Sequence, residues 1–178
     1  GPDEIIEISG GEPTLSSLLP RLLLMAKRRN RRISLQTNAT RFANPRFADL
    51  MVRSGLTHAF VSLHAPEAKL ADAITRMPGG FELTLKGVDN LLAKRVHVSF
   101  NFVICRTNRK HMCAYVRFLA ERFGPRAPTD GFPVVFSYVN PFHNAWTHRR
   151  LIPPISDVMP QLHEALREGE RLGLEMHV

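Results

Sequence analysis

Residues 3–14 read DEIIEISGGEPT. Ile5, Ile6 and Ile8 sit in a short β-favouring run that Gly10 and Gly11 break, and Pro13 follows at once. A strand running into a tight glycine turn is the expectation, with a helix to follow. Ser16 or Ser17 can cap that helix, which runs to about residue 29 with Leu18, Leu19, Leu22 and Met25 along one face. Pro20 falls in its first turn, where a missing N–H matters little. From this unit outward the pattern repeats.

Residues 33–37 read as a second strand. Asn44-Pro45 is a helix start and Gly55 its stop. Residues 57–63 make a third strand, and helices over about 66–76 and 81–94 flank the loop 77–80. Residues 96–104 form a long strand. Asn108 caps a helix to about residue 123, residues 124–133 are a loop, and 134–139 make a fifth strand. Ser156 caps a helix ending at Gly173, and residues 174–178 begin a sixth strand. Strands separated by helices mean βαβ units and a parallel sheet. The fold class is α/β, and the number of units points to a partial TIM-type (βα)6 barrel of parallel strands. The chain opens inside a strand and closes as another starts, so residues 1–178 are expected to be part of a larger domain.

In parallel α/β folds working residues gather at the carboxyl ends of strands. Side-chain alternation sorts them. Val98, Phe100, Phe102 and Ile104 share one face of the long strand, and His97, Ser99, Asn101 and Val103 the other. Ser62 and His64 point the same way on the third strand, as do Ser34, Gln36 and Asn38 on the second. An interior lined by Ser, Asn, Gln and His needs a polar ligand or water to satisfy it. A double glycine is by itself an ordinary turn, Glu12 could simply favour a helix N-terminus, and Thr37-Asn38 could be turn chemistry. It is their recurrence at successive strand ends that points to a bound polar molecule.

Composition agrees with a folded domain. The chain has 178 residues, 44% hydrophobic and 22% charged, which argues against wholesale disorder. No apolar run approaches the roughly 20 residues of a membrane-spanning helix, and Gly1-Pro2-Asp3-Glu4 lacks the basic-then-apolar pattern of a secretory signal. Two cysteines make no disulfide framework, so a reducing, cytoplasmic setting is expected. The net charge of +8 raises the prior for an anionic partner.

These residues together resemble the radical S-adenosylmethionine (SAM) superfamily. Glu7-Ile8-Ser9-Gly10-Gly11-Glu12-Pro13-Thr14-Leu15 is similar to that family's G-G-E-P motif. Gln36-Thr37-Asn38-Ala39-Thr40 resembles its T-N-G-T segment. Val61-Ser62-Leu63-His64-Ala65-Pro66 resembles S-L-D-G-P, with His64 in the place of Asp. Ile74-Thr75-Arg76 through Gly80-Phe81 resembles I-T-R…G-S-F. The resemblance implies SAM lying across the strand ends. Gly10, Gly11, Glu12 and Pro13 would bracket its methionyl amine, where carbonyls and a carboxylate suit an ammonium. Ser62 would meet its polar groups, and Arg76 could pair with its carboxylate. Asn101 is a further candidate contact. Val103 and Tyr138 are candidates for the adenine side, and Thr37, Asn38 and His64 join the set by motif.

The resemblance also implies a 4Fe–4S cluster that reductively cleaves SAM to a 5′-deoxyadenosyl radical, which abstracts hydrogen from a peptide or small-molecule substrate. A one-electron reductant would be a partner. The family's C-x3-C-x2-C motif is not in this chain. Its only cysteines are Cys105 and Cys113, too few for a cluster, and both read as ordinary buried thiols. The cluster ligands are therefore expected outside this chain, upstream of G-G-E-P.

Two other readings stay open: a cluster-less, non-catalytic binding module of the same fold, and a basic α/β domain that binds nucleic acid. Lys27-Arg28-Arg29-Asn30-Arg31-Arg32 could bind phosphates, but it also lies at a helix C-terminus, where cations offset the dipole. The solvated-end reading is preferred and nucleic acid is not the expected partner. His143 and His148, near Trp146, read as loop residues. His58, His97, His111, His163 and His177 lack metal-ligand spacing.

Overall fold

The computed structural model describes residues 5–126, 132–139 and 147–178. His143 and Trp146 lie outside these, as does part of the loop read over residues 124–133. Six strands are hydrogen-bonded in chain order, β1-β2-β3-β4-β5-β6: β1 Ile5–Ile8, β2 Arg32–Thr37, β3 His58–Ser62, β4 His97–Ile104, β5 Pro133–Tyr138 and β6 Glu175–His177. The β1–β2, β2–β3, β4–β5 and β5–β6 pairs are parallel. Helices stand between the strands: α1 Leu19–Lys27, α2 Pro45–Ser54, α3 Ala68–Thr75, α4 Gly80–Ala93, α5 Met112–Phe123 and α6 Ile155–Arg171. This is the parallel α/β arrangement that the alternating pattern predicts.

The chain divides into two compact units. The first comprises Gly1–Ser62 and Gly79–Ser99, the second Leu63–Pro78 and Phe100–Val178. In the first, Ile33, Leu35, Ala59 and Val61 are buried from the strands, and Leu23, Ala48, Met51, Val88 and Leu91 from the helices. In the second, aromatic residues fill the core. Phe102 packs against Tyr115 and Phe136 at centroid distances of 4.7 and 5.3 Å. Phe100 stacks on Phe123 at 5.3 Å. The alternation read on β4 holds: Val98, Phe100, Phe102 and Ile104 are all buried.

Asn44 caps α2 as its spacing predicts, its side chain accepting from the main-chain N–H of Arg46 and Phe47. Gly55 ends that helix in the left-handed region. Three other helix starts differ from expectation. A 3-10 turn at Pro13–Leu15 precedes α1, which has no side-chain cap. Its buried stripe is Leu19, Leu23 and Ala26, whereas Leu18, Leu22 and Met25 are exposed. Leucines at 18, 19 and 22–24 offer two adjacent apolar stripes of equal helical spacing, and packing chooses between them. Leu22 and Met25 instead line an open apolar groove of about 360 Å3 with Ile6, Ile8 and Ile33.

Ser156 is not a cap; it lies inside α6, which starts after Pro154. Asn108 does not cap a helix either. Its side chain is fully buried and turned to other partners, described below. Cys105 and Cys113 are free and only partly buried. Among the described residues, no helix is long and apolar enough to cross a membrane.

Candidate functional site

At the carboxyl ends of β1, β2 and β3, a cleft of about 360 Å3 is lined by Gly10, Gly11, Glu12, Gln36, Thr37, Asn38 and Ser62. The chain reaches this shape through two consecutive glycines with φ of 104° and 52°. Other residues rarely adopt those angles, and a Cβ at either position would point into open space. The backbone there is bare toward the cleft.

Glu12 organises the loop. Its Oε1 accepts from the Thr14 N–H at 3.1 Å, the Thr14 hydroxyl at 2.6 Å and the Thr37 hydroxyl at 2.7 Å. Oε2 accepts the Asn38 N–H at 2.7 Å. Donors from the β1 loop and the β2 tip thus converge on one carboxylate, and such charge-assisted bonds are the strong ones. Arg41 adds a bond from its guanidinium to the Thr14 carbonyl.

Thr37, buried, spends its hydroxyl on Glu12 and accepts the Ala39 N–H at 3.0 Å. Asn38 Oδ1 accepts the N–H and hydroxyl of Thr40 at 3.0 and 2.8 Å. Among the described residues, the groups that remain for a ligand are the bare backbone at Gly10 and Gly11, the second lone pair of Glu12 Oε2, the side-chain amide of Gln36, the Asn38 Nδ2 and the Ser62 hydroxyl. This is a polar, net-anionic set of acceptors with three neutral donor groups. Such a set suits a ligand with a cation at the carboxylate and carbonyl side and polar groups at the amide and hydroxyl side.

In the second unit the strand ends carry a separate network. His64 Nδ1 accepts the Val103 N–H at 3.2 Å, which leaves the neutral ring's proton on Nε2. Burial holds this imidazole down to about 4, with the Asn101 carbonyl pulling weakly the other way. Ser137 donates to Asn101 Oδ1 at 2.8 Å, and Asn101 is buried. Asn108 ties the segment together. Its Oδ1 accepts the Cys105 N–H at 2.7 Å, and its Nδ2 donates to the carbonyls of His64 and Val103 at 3.0 and 2.9 Å. The Tyr138 hydroxyl donates to the Pro153 carbonyl. Arg76 ends α3 at φ 55°, exposed.

Of the residues predicted from sequence, Gly10, Gly11, Glu12, Thr37, Asn38 and Ser62 line one cleft. Pro13 is buried at the start of the 3-10 turn beside it. His64, Asn101, Val103, Arg76 and Tyr138 belong to the second unit. Sequence reading missed Thr14, which is buried and gives Glu12 two of its bonds, and Asn108, whose three partners are close in space but not in a motif. Thr14 stands inside the quoted motif and was within reach.

For a cluster the donor set does not fit. Among the described residues, no three His, Cys, Asp or Glu side chains are grouped to hold a metal ion, and two cysteines fall short of an iron–sulfur site.

The family model described as Radical SAM superfamily matches residues 1–119. The chain belongs to that superfamily. It is 30% identical over 122 residues to the Fe-coproporphyrin III synthase of Methanosarcina barkeri, a match covering 68% of this chain and 30% of that protein. It is 28% identical over 120 residues to the AdoMet-dependent heme synthase of Nitratidesulfovibrio vulgaris, covering 67% of this chain and 32% of that protein. The chain thus spans about a third of the length of the curated relatives it matches. In fold it is similar to native anSMEcpe solved with bound AdoMet and Kp18Cys peptide, with a TM-score of 0.70 at 14% identity over 97% of this chain and 49% of that one.

Proposed function

We propose that residues 1–178 are part of the core domain of a radical SAM enzyme, and that the cleft at the ends of β1–β3 takes the methionyl end of SAM. The observation that carries this reading is the Glu12 arrangement. Four internal donors hold the carboxylate at the rim of the cleft, beside two glycines whose bare backbone faces open space.

Each residue has a part. Glu12 holds the β1 loop against the β2 tip and keeps negative potential where an ammonium would lie. Gly10 and Gly11 let the ligand approach the backbone closely. Ser62 and Asn38 offer a hydroxyl and an amide N–H to the ligand's polar groups. His64, kept neutral, presents a hydrogen-bond donor and no charge, and with Asn101, Val103 and Tyr138 it makes the remaining candidate contacts. Arg76 offers a fork for a carboxylate. SAM held there would supply radical chemistry only together with a reduced iron–sulfur cluster, which, among the described residues, this chain's own side chains do not hold. A cluster would need ligands beyond the two cysteines of this chain, and a one-electron reductant would serve it. The substrate is a peptide or a small molecule: the relatives named above are a porphyrin-related synthase and a heme synthase, and the structural neighbour holds a peptide. The setting is cytoplasmic.

The test uses the full-length protein, reconstituted anaerobically with iron and sulfide. Under reduction it should convert SAM to 5′-deoxyadenosine and methionine. Glu12→Ala and Ser62→Ala should each weaken SAM binding. SAM binding unaltered in both would overturn the site. Binding without any cleavage would favour the cluster-less module.

A further inference from the structure

The first unit contains a second layer behind the cleft. Thr84, Gly87 and Asn90 recur every third residue along α4 and share one face. Thr84, buried, donates its hydroxyl to the Asn38 carbonyl at 2.9 Å. Asn90 Nδ2 donates to the carbonyls of Phe42 and Ala43 at 2.8 and 3.3 Å. Between them, a Cβ at Gly87 would sit 2.1 Å from the Ala39 carbonyl oxygen. Helix and turn therefore touch backbone to backbone, and nothing larger than glycine fits. One face of α4 reads the main chain of residues 38–43.

The consequence falls on Asn38. Its N–H belongs to the peptide plane before its Cα, and Glu12 holds that plane. Its carbonyl belongs to the plane after, and Thr84 holds that one. With both planes pinned, φ and ψ of Asn38 are set. Its Oδ1 is anchored by Thr40, so the side chain is set too, and Nδ2 is the group left to act. The next residue, Ala39, sits at φ 58°, a left-handed conformation that is unfavourable for a non-glycine residue. Such a turn persists only where its surroundings over-determine it, and α4 does so here.

We propose that Thr84 is a positioning residue for the SAM cleft, acting on the ligand through Asn38, with Gly87 and Asn90 seating the helix that carries it. This rests on the reading of the cleft as a SAM site. Loss of the Thr84 hydroxyl frees the plane after Asn38 and spreads the direction of Nδ2, which weakens ligand binding while leaving the chemistry of bound ligand alone.

The experiment compares full-length wild type with Thr84→Val, Thr84→Ser and Leu91→Ala. Leu91 is buried on the same helix and serves as the control for general loss of stability. Thr84→Val is expected to raise the KM for SAM about tenfold, with kcat changed less than about twofold, as expected for lost uniform binding. Amide hydrogen exchange in the ligand-free protein should rise at residues 37–43. Thr84→Ser should restore both. The proposal is overturned if Thr84→Val keeps the wild-type KM and exchange, or if Leu91→Ala shifts KM equally at matched Tm. If Thr84→Val does not fold, Thr84→Ala takes its place in the same comparison. If the wild type does not bind SAM, the reading of the cleft fails, and the exchange arm still decides whether Thr84 holds Asn38.

Discussion

Glu12 and Asn38 are joined across two strand ends: the Asn38 main-chain N–H donates to Glu12 Oε2 at 2.7 Å. The bond makes one rim out of two loops that are far apart in the chain, and the other Glu12 oxygen collects three further donors.

Replacing Glu12 should therefore damage stability as well as binding. Glu12→Ala leaves the Thr37 hydroxyl and the Asn38 N–H without an acceptor, and a loss of about 2–4 kcal/mol is expected. Glu12→Gln keeps one acceptor oxygen and should lose about half as much. Denaturant unfolding of the two variants beside wild type measures both.

Asn108 should matter comparably although no ligand is assigned to it. Asn108→Ala removes three hydrogen bonds in a fully buried setting. A destabilisation of about 3 kcal/mol is expected. Asn108→Asp, which keeps the acceptor for Cys105 but cannot donate to the two carbonyls, should be no better. A midpoint within experimental error of wild type for Asn108→Ala would contradict this account.

His64 makes stability depend on pH. Its folded-state value lies near 4 against an ordinary 6.5, so between those values the unfolded chain binds the extra proton. Stability is then fully present above about pH 6.5 and falls as pH is lowered toward 4, by up to about 3 kcal/mol from this residue. Unfolding curves at pH 7 and 4.5 should show the loss, and His64→Gln should flatten it.

Tyr115 should tolerate loss of its hydroxyl. The side chain is fully buried and, among the described residues, the hydroxyl has no hydrogen-bond partner, while its ring packs on Phe102 and Phe136. Tyr115→Phe keeps the ring contacts and removes an unsatisfied polar atom. It should be neutral or more stable by about 1 kcal/mol, read from Tm.

The order of strands and helices, the parallel pairing and the cleft-lining residues from Gly10 to Ser62 were all legible in the sequence. Each depends on local chemistry. Glycines break strands, alternation assigns faces, and Asn44-Pro45 starts a helix wherever it falls. What local chemistry leaves degenerate was decided by tertiary packing. Leu18, Leu22 and Met25 are as apolar as Leu19, Leu23 and Ala26, and only contact with the rest of the first unit buries one stripe. Asn108 has the composition of a cap, but the free N–H of Cys105 and the carbonyls of His64 and Val103 out-compete the helix start for its side chain.

The same holds for the cleft. That Gly10, Gly11 and Glu12 form a turn follows from their identities. That the Glu12 carboxylate is filled by Thr14, Thr37 and Asn38, and that Thr84 and Gly87 from α4 hold the turn behind it, follows from neither motif nor propensity. A hydrogen bond between residues 38 and 84 needs the chain to have already brought a helix against a strand end, and that proximity exists only once the core beneath it has packed.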